Sequence, residues 1–409
     1  MKIVQINAVC DSGSTGRTCK ELNEALLQAG HHGLILYGNG SSQYPYGRKI
    51  EGDMGIKVHA LLSRLLGKNA AYSPMATRKA IKIIKVYKPD VVHLRNLHGN
   101  YINLKQLLKY LAKHHIATVI SLHDCWIFTG KCTHYTQTGC NRWQTGCHNC
   151  PSLKKDIPSF FFDRTREMWK EKNNLLREIP RLAVIGVSDW ITEEGRKSPF
   201  FANAKEITRI YNWIDLDTFY LRQDITAAKY SIPEGKYTVL CVGAGWNPQA
   251  DRTRDLLRLA ENLGKDYQIL LAGNITQEME LPENITQVGY ISSAEELAKL
   301  YSAVDVYVHL SREDTFGKVI AEAMACGTPA VVYNATACPE LVDEGCGYVV
   351  KTGDVQAMAK AIEKIVQQGK NTYREQCIQN VHRRFAKDAL IQETLELYRM
   401  LRQSDEEEK

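Results

Sequence analysis

Short apolar runs alternate along the chain with segments whose apolar residues recur at helical spacing. The runs are continuous and rich in β-branched residues, which is typical of strands covered on both faces in a parallel sheet. Strands that alternate with helices in this way predict an α/β fold built from βαβ units. We predict strands at residues 2–9, 34–38, 91–94, 118–123, 183–188 and 206–211, and at residues 238–244, 267–273, 285–291, 305–310, 329–333 and 347–350.

The predicted strands form two series, each long enough for its own doubly wound, Rossmann-like sheet. The stretch between them, residues 212–235, has mixed charges and little periodicity, so we place the joint there. The domains are then 1–212 and 213–384, followed by a segment 385–409 that holds a helix near 385–401 and the acidic tail SDEEEK. Ligands bind at the carboxyl ends of strands in such sheets, so we expect the two domains to face a ligand-binding cleft.

An insertion at residues 124–162 has no clear strand or helix signal. Four of its cysteines follow a C-x7-C-x6-C-x2-C pattern, with Cys125 ahead of them. Such a set can hold a structural zinc ion and stabilise a segment that lacks a core of its own. The alternative is a group of reduced, partly buried thiols. The four candidate ligands are Cys132, Cys140, Cys147 and Cys150.

Composition narrows the possible partners and location. Apolar residues make up 44% and charged residues 24% of the 409 residues, which indicates an ordinary globular core. The net charge of +6 suits an anionic ligand or a membrane surface and argues against nucleic acid. The first apolar run is too short for a signal peptide, and no run reaches the roughly 18 residues of a membrane span. We expect a cytoplasmic protein whose 12 cysteines are reduced or metal-bound.

Residues 54–89 contain no acidic side chain and combine basic residues with apolar residues at helical spacing. Two interpretations stay open: peripheral contact with anionic lipid, or an ordinary helix with a solvated face. The basic residues are Lys57, Arg64, Lys68, Arg78, Lys79, Lys82, Lys85 and Lys88.

Two turns between strand and helix can approach a phosphate. The first, in CDSGSTGRT, places Gly13 and Gly16 before a helix, which fits either an anion site or a tight turn. The second lies in SREDTFGKVIAEAMACGTPAVV, residues 311–332, where a helix is predicted to begin near Gly317.

In this second turn, the free N–H groups of Gly317, Lys318 and Val319 are predicted to bind a diphosphate. Glu322 would then accept hydrogen bonds from ribose hydroxyls, and Asp314 would meet the hydroxyls of a sugar. The alternative is an exposed Lys318–Glu322 ion pair with Asp314 as an N-cap.

The motif EDTFGKVIAEAMACGTPAVVYNATACPELV resembles the nucleotide-sugar motif of the retaining glycosyltransferases of family 4. The segments GSTGRT, VVHLRNLHGNYIN, SLHDCWIFTGKC, GCNRWQTGCHNCP and IYNWIDLDTF are similar to the bacterial capsule and exopolysaccharide transferases of that family, in the same order. The resemblance implies the GT-B fold: two Rossmann-like domains facing a cleft, with a C-terminal helix that crosses back to the first domain.

The resemblance also implies roles for individual residues. His123, Asp314 and Glu322 match the residues at the reacting sugar and the ribose. The donor-binding set is Gly13, Gly16, Arg252, Arg254, Phe316, Gly317, Lys318, Val319 and Glu322. The sequence departs from the family pattern at Gly245, where a basic residue is common, which leaves the two arginines as candidates for the diphosphate cation.

The implied activity is transfer of a sugar from a UDP- or GDP-linked donor to a glycan or lipid-linked acceptor in surface polysaccharide biosynthesis. No cofactor is required for the reaction itself. Two alternatives stay open: a GT-B sugar-nucleotide epimerase, and a non-catalytic protein that binds sugar nucleotides.

Overall fold

The computed structural model describes residues 1–223 and 233–403. The chain divides into two compact units: unit 1 is Met1–Ile210 with the described residues from Ile391 onward, and unit 2 is Tyr211–Leu390. Part of the predicted joint, residues 224–232, and the acidic tail, residues 404–409, lie outside the described residues.

Unit 1 is a parallel sheet with helices between its strands. The strands are β1 (Lys2–Asn7), β2 (His32–Tyr37), β3 (Gly47–Lys49), β4 (Val91–Leu94), β5 (Ala117–Leu122), β6 (Leu182–Gly186) and β7 (Glu206–Arg209). The helices are α1 (Gly13–Gln28), α2 (Asp53–Leu66), α3 (Pro74–Tyr87), α4 (Leu104–Lys113), α5 (Thr165–Arg177) and α6 (Asp189–Lys197).

The strand order in unit 1 is β3-β2-β1-β4-β5-β6-β7. Every residue of β4, β5 and β6 is buried, which explains why these strands are continuous apolar runs rather than alternating ones. The chain order reverses between β1 and β4, and this reversal leaves a crevice at their carboxyl ends.

Unit 2 has the same architecture. Its strands are β8 (Tyr237–Trp246), β9 (Tyr267–Ile275), β10 (Ile285–Gly289), β11 (Val306–His309), β12 (Ala330–Tyr333) and β13 (Gly347–Val350), in the order β10-β9-β8-β11-β12-β13. The reversal falls between β8 and β11. The helices are α7 (Asp251–Leu263), α8 (Ala294–Ala303), α9 (Lys318–Ala325), α10 (Val355–Gln368), α11 (Asn371–Phe385) and α12 (Lys387–Gln403).

The last helix, α12, begins in unit 2 and continues into unit 1 from Ile391. In unit 1 it contributes the fully buried Tyr398, whose hydroxyl lies 2.6 Å from Nδ1 of His93. A buried polar pair of this kind fixes the helix to the sheet, because each group would be left unsatisfied without the other.

The fold prediction is confirmed: two parallel α/β sheets of Rossmann type are present, and all twelve predicted strands occur with ends shifted by a few residues. The edge strand β3 was missed. It is three residues long and reads Gly-Arg-Lys, so it carries no apolar pattern.

The insertion at residues 124–162 folds around a small aromatic core. Trp143 is buried and lies 5.1 Å from the rings of both Phe128 and Tyr135. The buried ammonium of Lys131 donates to the carbonyls of residues 152, 153 and 155, at 2.9, 3.0 and 3.1 Å. The segment therefore has packing of its own, contrary to the expectation that it lacks a core.

Across residues 1–223 and 233–403, none of the helices combines the length and apolar character needed to cross a bilayer.

Candidate active site

The second predicted turn lies at the strand reversal of unit 2, between β11 and α9. Gly317 precedes the helix in a left-handed conformation, with φ of +83°. A Cβ at this position would also lie 2.8 Å from Cδ1 of Ile320. The backbone angle is what favours glycine here, because the close contact is with the end of a flexible side chain that can shift.

Asp314 shapes this turn. Its Oδ1 accepts a hydrogen bond from the N–H of Gly317 at 3.0 Å. Its own N–H donates to Oγ1 of Thr336 at 2.8 Å, and its carbonyl accepts from the same hydroxyl at 2.7 Å. The prediction that the Gly317 N–H is free for a diphosphate is therefore wrong, because a nearby carboxylate takes that donor.

His309 is a neighbour of Asp314 that the sequence analysis missed. Its Nε2 lies 3.3 Å from Oδ2 of Asp314, and its Nδ1 lies 3.0 Å from the hydroxyl of Tyr307. The histidine ends β11 and is 6% exposed. A polar residue at the carboxyl end of a predicted strand is the sequence signal that could have identified it.

Phe316 contributes only its backbone to the turn. Its ring is buried against Tyr211 and Phe385, at centroid distances of 5.8 and 5.3 Å. This aromatic cluster holds the turn in place, and the place of Phe316 in the diphosphate-binding turn stays a prediction.

Glu322 is buried in α9, with 3% of its surface exposed. The alternative of an exposed Lys318–Glu322 pair is therefore wrong for the glutamate. Lys318 and Val319, the first two residues of the helix, are half-buried. Their N–H groups lie in the first helical turn, where the helix itself supplies no acceptor.

The two candidate cations differ in their surroundings. The Arg252 guanidinium donates to the carbonyl of Gly245 and lies 5.1 Å from the centroid of Trp246, at the end of β8. Burial lowers the pKa of Arg252 below its usual value. Arg254 is exposed, donates to the Gln249 carbonyl at 2.7 Å and pairs with Asp251. Of the two, Arg252 is the residue that the fold places at the strand reversal.

The first glycine turn lies at the strand reversal of unit 1. Gly13 opens α1 with φ of +63°, and no atom lies within 4 Å of a Cβ built there. Gly16 is buried, and a Cβ would meet Val9 at 3.0 Å and the backbone N of Asp11 at 3.2 Å. Gly16 therefore allows α1 to pack against the preceding loop. Gly13 leaves open space at the N-terminal end of α1.

His123 follows β5 and is oriented by Arg95, which sequence reasoning missed. Nε of Arg95 donates to Nε2 of His123 at 3.2 Å, and Nη1 donates to Gln5 at 3.0 Å. A ring nitrogen that accepts a hydrogen bond carries no proton, so this contact favours the neutral Nδ1–H tautomer of the histidine.

A second histidine of unit 1 is paired with a carboxylate. Nε2 of His98 lies 2.8 Å from Oδ2 of Asp124. Burial alone would lower the pKa of His98, but the hydrogen bond and charge of Asp124 outweigh burial and raise it. Burial alone would raise the pKa of Asp124, but the hydrogen bond from His98 outweighs burial and the pKa is lowered.

Each unit thus places its candidate residues in loops, and in the helices that follow them, at the carboxyl ends of its strands, at or beside the point where the strand order reverses. Two family models match the chain. The model for glycosyltransferase family 4 matches residues 15–218, and the model for glycosyl transferases group 1 matches residues 222–384. The chain belongs to the family 4 glycosyltransferases.

The enzyme is similar to WcaC of Escherichia coli (strain K12), provisionally named a colanic acid biosynthesis glycosyl transferase. The two are 24% identical over 371 residues, which cover 87% of this chain and 88% of WcaC.

Solved structures show the same fold. A sucrose-phosphate synthase from Thermosynechococcus elongatus aligns with a TM-score of 0.69 at 20% identity, over 98% of each chain. HepE of Anabaena, in complex with UDP-glucose, aligns with a TM-score of 0.65 at 17% identity, over 97% of this chain and 99% of its own. The glycosyltransferase therefore has the GT-B fold.

The cysteines of the glycosyltransferase's insertion are close neighbours, but they do not form a complete metal site. The thiols of Cys132 and Cys150 share a hydrogen bond, which lowers the pKa of Cys150 to about 7. The sulfur of Cys147 accepts from the N–H of Gly130 at 3.2 Å. In residues 1–223 and 233–403, no three side chains among histidine, cysteine and the acids are placed to hold a metal ion. The zinc site stays a prediction.

Proposed function

We propose that this glycosyltransferase is a retaining enzyme. It transfers a sugar from a nucleoside-diphosphate donor to a glycan or lipid-linked acceptor in the biosynthesis of a surface polysaccharide. The observation that carries the proposal is the turn from β11 to α9, where a glycine in a left-handed conformation, the first-turn N–H groups of the helix and a buried carboxylate lie in one short segment. The similarity to WcaC over most of both chains supports the polysaccharide assignment.

In this proposal, the N–H groups of Lys318 and Val319 bind the donor diphosphate. The positive end of the helix dipole favours the negative charge that develops as the nucleotide leaves. Arg252 adds a cation from the end of β8, and Arg254 reaches the diphosphate only if its pair with Asp251 opens. No metal ion is needed for this charge stabilisation.

Glu322 binds the ribose. Its carboxylate can accept a hydrogen bond from each of two vicinal hydroxyls. Asp314 contacts the donor sugar with Oδ2, because Oδ1 already accepts the Gly317 N–H. Nε2 of His309 lies 3.3 Å from this oxygen.

The family resemblance also assigns two residues of unit 1 to the donor. His123 contacts the donor sugar with its Nδ1–H, since Arg95 occupies Nε2. The Gly13 turn approaches the donor phosphates, as its open tip permits. Retention follows from a front-face displacement, in which the leaving phosphate oxygen takes the proton of the acceptor hydroxyl. The scheme therefore needs no nucleophilic carboxylate.

The enzyme is further proposed to work at the inner face of a membrane. Helix α2 supports this, because it buries the polar residues His59 and Ser63 and exposes Val58 and Leu61 at 46% and 53%. Three further exposed aromatic residues lie next to this helix, where the N–H of Phe160 donates to the Arg64 carbonyl at 2.8 Å. They are Phe160, Phe161 and Phe162. Basic side chains surrounding apolar ones suit an anionic lipid surface.

Donor binding and donor turnover test the proposal. Calorimetric titration with UDP and GDP should show binding of one of them. Glu322→Gln should weaken it at least about tenfold, since a hydrogen bond to a charged group contributes roughly 1.5–3 kcal/mol. Glu344→Gln, on an exposed residue of the same unit, should leave binding unchanged. Normal affinity in Glu322→Gln would contradict the assigned site.

Turnover separates the proposal from its alternatives. With UDP- and GDP-sugars and a membrane acceptor extract, the nucleotide should be released only when acceptor is present. Release without acceptor, together with a changed sugar, would indicate an epimerase. Nucleotide binding without turnover of any donor would indicate a non-catalytic protein.

A further inference from the structure

Unit 1 contains a cavity that the proposed donor site does not use. It has a volume of about 160 Å³ and lies between the loop after α2, the start of α4, the turn after β5 and helix α5. Typical drug-sized pockets measure roughly 300–1,000 Å³, so this cavity fits a single sugar ring rather than a longer glycan. Its lining includes Asn69, Leu104, Trp126, Met168 and Lys172.

The cavity lies near the carboxyl ends of β4 and β5, the edge of the sheet where ligands bind in this architecture. Trp126 comes four residues after the end of β5, and its ring lies 5.7 Å from that of His98, in the loop after β4. The cavity is therefore built from the same loops that carry the His98–Asp124 pair.

A buried positive charge lines the cavity. Lys172 is 4% exposed. Its ammonium donates to the Trp126 carbonyl at 2.5 Å and lies 4.2 Å from the Trp126 ring centroid. Burial lowers the pKa of Lys172 to about 7, and the nearby Cys147, Cys132 and Asp124 oppose this only in part. His98 already engages the Asp124 carboxylate.

Two more lining residues have unsatisfied polar atoms. Within residues 1–223 and 233–403, Oδ1 of Asn69 and Nε1 of Trp126 are buried without a hydrogen-bond partner. A buried polar atom without a partner destabilises the folded chain. A ligand with hydroxyl groups can supply a donor for the amide oxygen and an acceptor for the indole N–H. The rim adds the Lys105–Glu171 ion pair, whose atoms are 2.9 Å apart.

We propose that this cavity binds one acidic sugar residue of the acceptor, a monosaccharide unit that carries a carboxylate or a phosphate. Lys172 binds the anionic group, Trp126 and Asn69 bind hydroxyl groups, and Leu104 and Met168 contact the apolar face of the ring. The inference rests on the proposed function, because a transferase that extends a glycan must hold the sugar unit that accepts the next one.

Ligand-observed NMR titration of the full chain tests this inference with three probes: D-glucuronate, glucose 6-phosphate and D-glucose. At least one acidic probe should bind about tenfold or more tightly than glucose, as charge-assisted hydrogen bonds predict. Preference for glucuronate would identify a carboxylate-bearing unit, and preference for glucose 6-phosphate a phosphate-bearing one. Equal binding of all three probes, or none, would overturn the proposal.

A matched pair of variants locates the site. Lys172→Gln keeps a donor for the Trp126 carbonyl and removes the charge, so it should abolish the preference for the acidic probe. Lys170→Gln changes an exposed lysine two residues earlier on α5 and should bind as the wild type does. An unchanged preference in a folded Lys172→Gln would overturn the proposal. If that variant does not fold, the wild-type preference for an acidic probe over glucose, or the lack of one, decides whether the proposal stands.

UDP and GDP titrations of the same samples keep this inference separate from the proposed function. Loss of acidic-sugar binding with normal nucleotide binding in Lys172→Gln supports two distinct sites. Absence of acidic-sugar binding in a wild-type protein that still binds a nucleotide would reject the cavity proposal alone.

Discussion

Oδ1 of Asp314 accepts a hydrogen bond at 3.0 Å from the main-chain N–H of Gly317, three residues further along the chain. This contact makes the aspartate part of the turn as well as a candidate for the donor sugar. The two roles use different oxygens, since Oδ2 faces His309 at 3.3 Å. Substitutions that remove one role and keep the other can therefore separate them.

We expect Asp314→Asn to keep nucleotide binding and lose most sugar transfer, because the amide oxygen still accepts the Gly317 N–H while the charge is gone. Asp314→Ala should lose transfer and also weaken nucleotide binding about tenfold, the effect of one charge-assisted hydrogen bond of roughly 1.5 kcal/mol. Calorimetry and a transfer assay measure the two effects. Equal nucleotide affinities in both variants would show that the turn does not depend on this contact.

Gly317→Ala should reduce nucleotide affinity together with stability. A left-handed conformation costs a non-glycine residue about 1–2 kcal/mol, and the new Cβ would press on Ile320. Gly40→Ala is the matched control: Gly40 also has a positive φ, of +74°, but a Cβ there meets nothing within 4 Å. Both variants should unfold at a lower urea concentration than the wild type. Only Gly317→Ala should bind UDP or GDP more weakly.

His59 predicts a pH dependence of stability. It is fully buried, with Nδ1 2.7 Å from the Ser73 hydroxyl, and burial lowers its pKa to about 4. Below pH 6.5 the unfolded chain takes up a proton that the folded chain excludes, so stability falls as the pH drops from about 6.5 to 4. The loss attributable to His59 at pH 5 is about 2 kcal/mol, from the pKa difference.

Urea unfolding at pH 7.5 and pH 5 measures this effect. His59→Gln should show a smaller decrease in the free energy of unfolding between the two pH values. His382→Gln, on an exposed histidine of unit 2, should behave as the wild type does. Identical pH dependence in wild type and His59→Gln would show that this imidazole does not titrate as its burial predicts.

The membrane proposal predicts that the protein floats with anionic liposomes and not with neutral ones. Combined charge reversal at Arg78, Lys79 and Lys82 should abolish flotation, since each basic residue near such a surface contributes about 1 kcal/mol. The matched control reverses three exposed basic residues of unit 2: Arg258, Lys265 and Lys360. Unchanged flotation of the first variant, or equal loss in the control, would reject α3 as part of the membrane surface.

The cysteine prediction is tested by metal analysis. If the four thiolates hold zinc, the purified protein should contain about one zinc per chain, in the tetrahedral coordination of structural sites. Cys132→Ser should lose the metal, whereas Cys10→Ser, outside the insertion, should retain it. A zinc-free wild type that is fully folded would show that the Trp143 core stabilises the insertion without a metal.

The sequence by itself determined the architecture. Continuous apolar strands alternating with helices allow few topologies other than two doubly wound sheets, because both faces of a parallel sheet must be covered. It also identified the turn before α9, from the spacing of Asp314 and Glu322 around the predicted helix start and from the resemblance to family 4. The short polar strand β3 has no such pattern and was found only in the structure.

Only the tertiary structure decided which groups of the turn are available. The sequence cannot show that Asp314 engages the Gly317 N–H, or that the Phe316 ring packs against Tyr211, because both depend on how the chain folds back on itself. Pairings across long sequence separations, such as Arg95 with Gln5 and His123, likewise leave no local pattern. The cavity beside Lys172 also leaves no local pattern in the sequence, since four separate segments of the chain enclose it.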